Sequence, residues 1–303
     1  MISIQVKELT KNYGNVIALD NISFEVNKGE LFGFIGPDGA GKTTLFRILV
    51  TLLIQDKGTA LMEGHEVVKE YKKIRNMVGY MPGRFSLYQD LSVEENLKFF
   101  ATTFGTSVEE NYDLIKDIYQ QIEPFKKRLA GKLSGGMKQK LALSCAMIHK
   151  PEILILDEPT TGVDAVSRKE FWEMLCKLKE NNITILVSTP YMDEASLCDK
   201  VALIQNGKIL SIDKPDLIMK SFSKPLLAIK ANNMYNLLYD LNEYKNTNSV
   251  YPFGEYIHYT PLEKTYDIKD IESFLVAKGH INIIINKIEA NIEDCFMDLM
   301  KKN

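Results

Sequence analysis

The run GPDGAGKTT, which follows a short apolar stretch ending near Ile35, restricts this chain to a small set of folds. Gly36, Gly41, Lys42 and Thr43 fit the pattern G-x-x-x-x-G-K-[ST], with Gly39 and Thr44 in the same loop. The spacing has a physical reason. Glycines let successive backbone N–H groups converge on phosphate oxygens, a helix starting near Gly41 adds its positive end, and Lys42 supplies a full charge. The Thr43 hydroxyl is then placed for Mg²⁺. At average glycine content such a pattern arises by chance in about one in a hundred chains of this length. The β-type run before it and the amphipathic stretch 44–53 after it supply the context that makes it a phosphate site. Asp38 inside the loop is an oddity, because a carboxylate aimed at phosphates would repel them by several kcal/mol at a low effective dielectric. It is expected to face away and to accept loop N–H groups.

A second element is the run ILILDEP, an apolar strand ending in Asp157 and Glu158. Acids at a strand end lie on the carboxyl edge of an open α/β sheet, where ligands bind. Asp157 is suited to holding Mg²⁺ through water, and Glu158 to orienting an attacking water or accepting its proton.

Around these two elements, residues 2–6 alternate like a strand, and 21–26 and 30–35 follow as short β-type runs. From Val93 the apolar positions Val93, Leu97, Phe100 and Phe104 fall at helical spacing, and 111–122 repeats the pattern, which predicts a helical insert. Continuous apolar runs at 153–156 and 183–187, separated by a helical stretch at 167–179, indicate a parallel sheet covered on both faces. Segments 201–204 and 208–212, joined across Asn206-Gly207, predict a closing hairpin. A boundary is expected within 215–225. The reading is therefore a domain over 1–219, with a helical subdomain at about 90–150, and an accessory domain over 220–303. The accessory segment reads as βαββαβα, the order of a small ferredoxin-like α+β sandwich.

Composition narrows the function classes. Lys and Arg number 37 against 40 Asp and Glu, a net charge of -3, so no global basic field draws the chain onto nucleic acid or an acidic membrane surface. The most apolar stretches, 48–54 and 152–157, fall far short of the roughly 18 residues of a membrane span. The start MISIQVKELTK shows no secretory signal. Cys145, Cys176, Cys198 and Cys295 have no paired spacing and are expected as buried core residues in a cytosolic, reducing setting.

A third element, LSGGMKQK at 133–140, opens a helix that Ser134 can cap, with glycines that allow close approach of an anion. Together with the phosphate loop and the acidic strand, in this order, it resembles the signature of the ABC ATPases, over about residues 1–215. The resemblance implies an α/β P-loop cassette with a mixed core sheet, an N-terminal antiparallel β-subdomain and a helical signature subdomain. It also implies that two cassettes stack head to tail, each ATP lying between the phosphate loop of one and the signature of the other. On that basis Tyr13 is expected to stack on adenine, and Gly36, Gly39, Gly41, Lys42, Thr43 and Thr44 to hold phosphates. Thr43 and, through water, Asp157 would hold Mg²⁺, and Glu158 would be the catalytic carboxylate. Ser134, Gly135 and Gly136 would bind the partner's γ-phosphate, and 162–164 resembles the loop by which two cassettes touch. Within the family, SLYQDLSVEENL and IEANIEDCFMDLM resemble the ATP-binding subunits of drug and antibiotic exporters of the ABC-2 type. That implies an ATPase subunit, cytoplasmic and peripheral on the inner face of the membrane, docked on separate permease chains.

The sequence departs from the family at two positions. Gly83 in YMPGRFSLY stands where the family has a glutamine that contacts Mg²⁺ and the attacking water; Gln89, six residues on, is expected to lie elsewhere. After TILVST, Pro190 stands where a histidine should hydrogen-bond the γ-phosphate, and it biases Thr189 toward an extended, stiffened conformation. Positioned catalytic groups are each worth about 10² to 10⁴ in rate. The chain's own site is therefore expected to bind ATP and hydrolyse it slowly, while the intact LSGGM completes the site of a second cassette.

His65, His149, His258 and His280 lie at no motif position and read as structural or surface residues. The basic clusters 72–75 and 126–128 read as solvated helix faces, and Tyr251, Tyr256, His258 and Tyr259 as strand packing. Two further readings stand beside the transporter motor: a regulatory ATP-binding module, and a soluble ABC protein acting on ribosomes or DNA. The last is disfavoured by the acidic balance and the single cassette.

Overall fold

The computed structural model describes residues 1–302. The chain divides into two compact units, one of residues 1–216 with the end of the last helix from Asp298, the other Leu217–Met297.

In the first unit β1 (Ile2–Tyr13) and β2 (Val16–Asn27) form a long hairpin, followed by β3 (Leu31–Ile35) and α1 (Lys42–Leu49). Then come β4 (Lys57–Met62), β5 (His65–Glu66), α2 (Tyr71–Met77) and β6 (Val78–Met81). Helices α3 (Val93–Thr103), α4 (Tyr112–Tyr119) and α5 (Gly135–Met147) make up the insert. The unit continues with β7 (Ile153–Asp157), α6 (Ala165–Glu180), β8 (Thr184–Thr189), β9 (Lys200–Gln205) and β10 (Lys208–Asp213).

Two sheets result. One is antiparallel in the order β2-β1-β4-β5; the other runs β10-β9-β3-β8-β7-β6, parallel throughout except for β10 at its edge. Every residue of β3, β7 and β8 is buried, which explains their continuous apolar runs. The β9–β10 turn places Asn206 at φ 49° and Gly207 at φ 74°, the double left-handed geometry that suits a tight hairpin. Between the antiparallel sheet and α1 the core is built on aromatic edges: Phe24 meets Phe34 at 4.9 Å, and Phe34 meets Phe46 at 5.9 Å. Each such buried side chain contributes about 1.5–3 kcal/mol.

The structure corrects several expectations. The helix after the phosphate loop ends at Leu49 rather than near 53, because Thr51 turns to φ 63°. Strands β4 and β5 escaped the periodicity because the first three residues of β4 are all exposed. Gly58 in β4 lies where a Cβ would sit 2.3 Å from the Glu8 carbonyl, so packing rather than pattern sets it. Residues 126–128 form a turn rather than a helix face, with the Arg128 guanidinium 4.5 Å from the Phe125 ring. Cys145, Cys198 and Cys295 are buried, but Cys176 is exposed, since α6 turns Phe171, Trp172, Met174, Leu175 and Leu178 inward and leaves position 176 outside.

α7 (Pro215–Ser221) leads to β11 (Leu227–Lys230), α8 (Met234–Glu243), β12 (Thr247–Phe253), β13 (Tyr256–Pro261), α9 (Ile268–Ala277), β14 (Ile284–Lys287) and α10 (Ile292–Lys302). The second unit's sheet is antiparallel in the order β12-β13-β11-β14, a ferredoxin-like arrangement. Leu227, Ile229, Ile257 and Tyr259 pack with Leu237, Leu241, Ile271 and Leu275. His258 alternates with Ile257 and Tyr259, and its Nδ1 lies 2.7 Å from Asp294 Oδ1. No helix among the described residues is long and apolar enough to cross a membrane.

Candidate functional site

Three strand ends meet at one sheet edge. Ile35 of β3 pairs with Thr189 of β8, and Asp157 of β7 pairs with Ser188. The loops leaving β3, β7 and β8 therefore converge where open α/β sheets bind ligands.

Lys42 opens α1 and is only 3% exposed. Its Nζ donates to the carbonyls of Gly36 at 2.7 Å and Pro37 at 2.9 Å, and Glu158 Oε1 lies 3.1 Å away. Three oxygen partners match the three donors of an ammonium. The glycines are required by space. A Cβ on Gly36 would meet the Ile204 carbonyl oxygen at 2.1 Å, and one on Gly41, at φ 108°, the Ala18 carbonyl oxygen at 2.4 Å. Gly39 has φ 77° with open space around it. Thr43 and Thr44 follow Lys42 in the first turn of α1, both half-buried. Asp38 is exposed, and the loop turn closes main chain to main chain, Ala40 N–H to Pro37 carbonyl at 3.2 Å. The expected hydrogen bonds from loop N–H groups to Asp38 are not present among the described residues.

At the end of β7, Asp157 is 2% exposed and accepts from Ser188 Oγ at 2.7 Å. Glu158 stands at φ 49°, a left-handed conformation that costs a non-glycine residue about 1–2 kcal/mol. Ser188 holds it there: the Glu158 N–H donates to Ser188 Oγ at 3.0 Å and to the Ser188 carbonyl at 3.1 Å. One hydroxyl thus aligns both acids, a role the sequence reading missed. The available signal was a serine inside an otherwise apolar strand. Burial and the Asp157 charge push the Tyr80 phenol up to about 12, against a lowering contact from Arg47.

The donor set suits a phosphate with a hard cation. Mg²⁺ takes oxygen ligands, and the Thr43 hydroxyl and Asp157 carboxylate are such groups, next to a loop in which Gly36 and Gly41 leave no room for a Cβ.

Both departures fall at this edge. A Cβ on Gly83 would sit 3.0 Å from the Asp157 carbonyl oxygen and 3.8 Å from Glu158 Cβ, so the missing side chain would start beside the acids. Pro190 directly follows β8, where the Tyr191 N–H donates to Thr189 Oγ1 at 3.0 Å and pins the turn. Gln89 is exposed elsewhere, its carbonyl accepting from Gly131 N–H at 3.0 Å.

Tyr13 ends β1, 46% exposed, with Lys11 Nζ 5.9 Å from its ring centroid. It pairs with Val16 on the hairpin whose Ala18 abuts Gly41. Ser134 caps α5, accepting from Met137 N–H at 3.4 Å. Cβ atoms on Gly135 and Gly136 would approach the Gly162 carbonyl oxygen at 3.6 Å and Ser167 Oγ at 2.7 Å. The segment 134–136 thus lies against the loop after β7 and the first turn of α6, and no hydrogen bond or ion pair among the described residues joins it to 36–44. Asp164 in that loop caps α6; the N–H of Ser167 foremost holds its carboxyl below the usual range.

Known proteins are similar to this chain. The ABC transporter family matches residues 19–161. "Probable multidrug ABC transporter ATP-binding protein YbhF" of Escherichia coli (strain K12) is 40% identical over 215 residues, 70% of this chain but only 37% of that relative's length. Nod factor export ATP-binding protein I of Sinorhizobium fredii (strain NBRC 101917 / NGR234) is 31% identical over 303 residues, covering 98% of this chain and 86% of that one. Among solved structures, the dimeric bacterial ABC transporter cassette MJ0796 superposes with a TM-score of 0.64 at 26% identity, covering 70% of this chain and 98% of that one. With GPDGAGKTT, LSGGM and ILILDEP in this order, and a 31% identical relative matched along 98% of this chain, the chain belongs to the ABC transporter family, among its ATP-binding proteins.

Proposed function

We propose that this chain is the ATP-hydrolysing subunit of an exporter of the ABC-2 type, cytoplasmic and peripheral on the membrane's inner face, that dimerises around ATP and drives separate permease chains. The observation that carries the reading is the buried Lys42, held by loop carbonyls 3.1 Å from Glu158. In this reading the ATP phosphates take the place of the Gly36 and Pro37 carbonyls on Lys42, and the loop N–H groups around Gly39, Gly41 and Thr44 complete the cradle. Thr43 and, through water, Asp157 hold Mg²⁺, which supplies neutralisation of phosphate charge. Glu158 orients the attacking water and accepts its proton. Tyr13 stacks on adenine, and Ser134, Gly135 and Gly136 of a second cassette close over the γ-phosphate. The solved dimer of a related cassette and the relative named for export support the reading.

An apolar groove of about 380 Å³, lined by Met81, Pro82, Leu87, Phe100, Phe104 and Ala146, is the proposed seat of a cytoplasmic segment of the permease. It starts at the loop leaving β6, the same loop that carries Gly83 against Asp157, so a push there reaches the acids.

Gly83 and Pro190 favour a second reading, in which the chain's own site is slow and a second cassette, with its own Gln and His, faces this signature and does most of the hydrolysis. ATPase of the purified chain with Mg²⁺ and ATP tests both. Low turnover that rises on adding the co-purifying cassette supports the asymmetric pair. A turnover near 10 per second, typical of enzymes, that survives Glu158→Gln would sink both the impairment and the role of Glu158.

A further inference from the structure

Behind the acids lies a buried carboxylate that the mechanism above does not use. Glu194, in the short helical turn Met192–Leu197 after Pro190, is 2% exposed. Both its oxygens accept from the Thr160 hydroxyl, at 2.9 and 3.2 Å, and Arg168 Nε lies 3.7 Å away. Thr160 is 1% exposed and sits two residues past Glu158, inside a turn closed by Thr161 N–H to the Glu158 carbonyl at 3.2 Å. Arg168 binds Asp193 at 3.1 Å and lies 4.9 Å from the centroid of the Tyr191 ring, the residue after Pro190. A carboxylate taken this far from water costs stability unless it is paired and hydrogen-bonded, so its partners are held firmly.

We propose that Glu194, with Thr160 and Arg168, is a positioning unit that fixes the backbone of Glu158 to the switch turn after β8. It rests on the reading of Glu158 as the catalytic group. Two features give such a clamp work to do. Glu158 occupies a strained left-handed conformation that persists only when its surroundings over-determine it. The switch turn carries Pro190 and has no imidazole to reach toward the nucleotide, so the clamp behind it, rather than a side chain in front, ties this turn to Glu158. Sub-ångström drift of a catalytic group is expensive, since a misplacement of about 1 Å can cost about a hundredfold in rate.

The test is steady-state ATPase of the full chain purified without a second cassette, so that only its own site turns over, with Thr160→Val, Thr160→Ser and Arg168→Gln compared with wild type. Thr160→Val keeps the shape and removes the hydroxyl. It is expected to lower kcat roughly ten- to a hundredfold while KM for ATP stays within about twofold. Thr160→Ser restores the hydroxyl and should return most of kcat. Arg168→Gln, a partly exposed position, keeps the test available if Thr160→Val folds poorly, and should lower kcat in the same sense. An unchanged kcat in well-folded Thr160→Val or Arg168→Gln overturns the proposal, as does a loss that Thr160→Ser fails to restore. Glu158→Gln in the same assay separates the two claims. If it leaves turnover intact, the catalytic reading fails; if it abolishes turnover while Thr160→Val does not lower it, only the clamp fails.

Discussion

Lys42 Nζ and Glu158 Oε1 lie 3.1 Å apart, so the loop lysine and the strand-end acid neutralise each other before any phosphate arrives. A polyphosphate entering the loop competes with that carboxylate for the ammonium and is repelled by it, an interaction magnified where water is excluded. Glu158→Gln should therefore move two measurements in opposite directions. Turnover falls by about 10² to 10⁴, while equilibrium ATP binding, followed by titration with a fluorescent analogue, tightens several-fold. Weaker binding together with lost turnover would place Glu158 in the phosphate cradle rather than opposite it.

Ser188 is the hinge of the acid pair, donating to Asp157 and receiving the Glu158 N–H. Ser188→Ala leaves the buried Asp157 carboxylate short of its donor, at a cost of about 1–3 kcal/mol, while the Glu158 N–H keeps only the Ser188 carbonyl. The variant should melt several degrees lower and lose turnover, and Ser188→Thr, which keeps the hydroxyl, should recover activity ahead of stability. Wild-type melting and turnover in Ser188→Ala would remove the serine from the site.

Much of this edge was legible because its chemistry forces residue types at fixed spacing. Gly36, Gly41 and Lys42 were legible through the spacing of the motif, although the carbonyls that exclude a Cβ at the two glycines belong to Ile204 and Ala18, and Ile153 to Leu156 through burial on both sheet faces. Ser188, Thr160 and Glu194 were not legible, because their partners lie about 30 residues away, 31 for Ser188–Asp157 and 34 for Thr160–Glu194, and only the fold brings them together. β4 was hidden for a related reason. Its Gly58 answers to the Glu8 carbonyl across the sheet rather than to its own neighbours. The exposed Cys176 shows the opposite limit: a residue type with a strong burial preference sits on the outer face of an amphipathic helix.

Gly36 and Gly39 belong to one motif for different reasons, and alanine should separate them. At Gly36 a Cβ would collide with the Ile204 carbonyl oxygen at 2.1 Å, which the backbone can relieve only by moving the loop. Overpacking of that kind costs about 1–3 kcal/mol or more. At Gly39 the space is open and only the positive φ resists, by about 1–2 kcal/mol. Gly36→Ala should lower the melting temperature and abolish ATP binding together, whereas Gly39→Ala should mainly weaken binding. Equal behaviour of the two variants would contradict this division.

His149 stacks on Phe104 at 3.8 Å, and its ring nitrogen Nε2 lies 3.2 Å from the Val78 carbonyl. Burial holds its pKa below the ordinary 6.5, against the opposing pull of that carbonyl. A base whose folded-state pKa is depressed binds fewer protons folded than unfolded, so its stabilising effect is present above 6.5 and is lost as pH falls through that value. Wild type should therefore lose more melting temperature than His149→Gln between about pH 8 and 5.5. Parallel pH curves for the two proteins would show that this imidazole does not carry the difference.

Gly83 and Pro190 give the sharpest test of the slow-site reading: Gly83 lies beside Asp157 and Pro190 follows β8, whose last residue pairs with Ile35. A side chain at 83 would begin 3.0 Å from the Asp157 carbonyl oxygen, tight enough that the loop after β6 must give by a few tenths of an ångström. A glutamine amide is long and flexible enough to reach past that contact toward the acids. At 190, replacing proline frees φ and puts an imidazole at the end of β8, next to the strand that leads into the phosphate loop. Either change alone restores half of a pair, and Gly83→Gln alone also bears the crowding. The double variant Gly83→Gln/Pro190→His should therefore raise turnover of the isolated chain by at least about tenfold, within the range expected of positioned groups, with ATP affinity little altered. Adding Glu158→Gln to the double variant should erase the gain, since in the proposed reading the restored glutamine and histidine, on the attacking water and the γ-phosphate, assist a step for which Glu158 activates the water. Turnover equal to wild type in a folded, ATP-binding double variant would mean that the two departures do not limit this site.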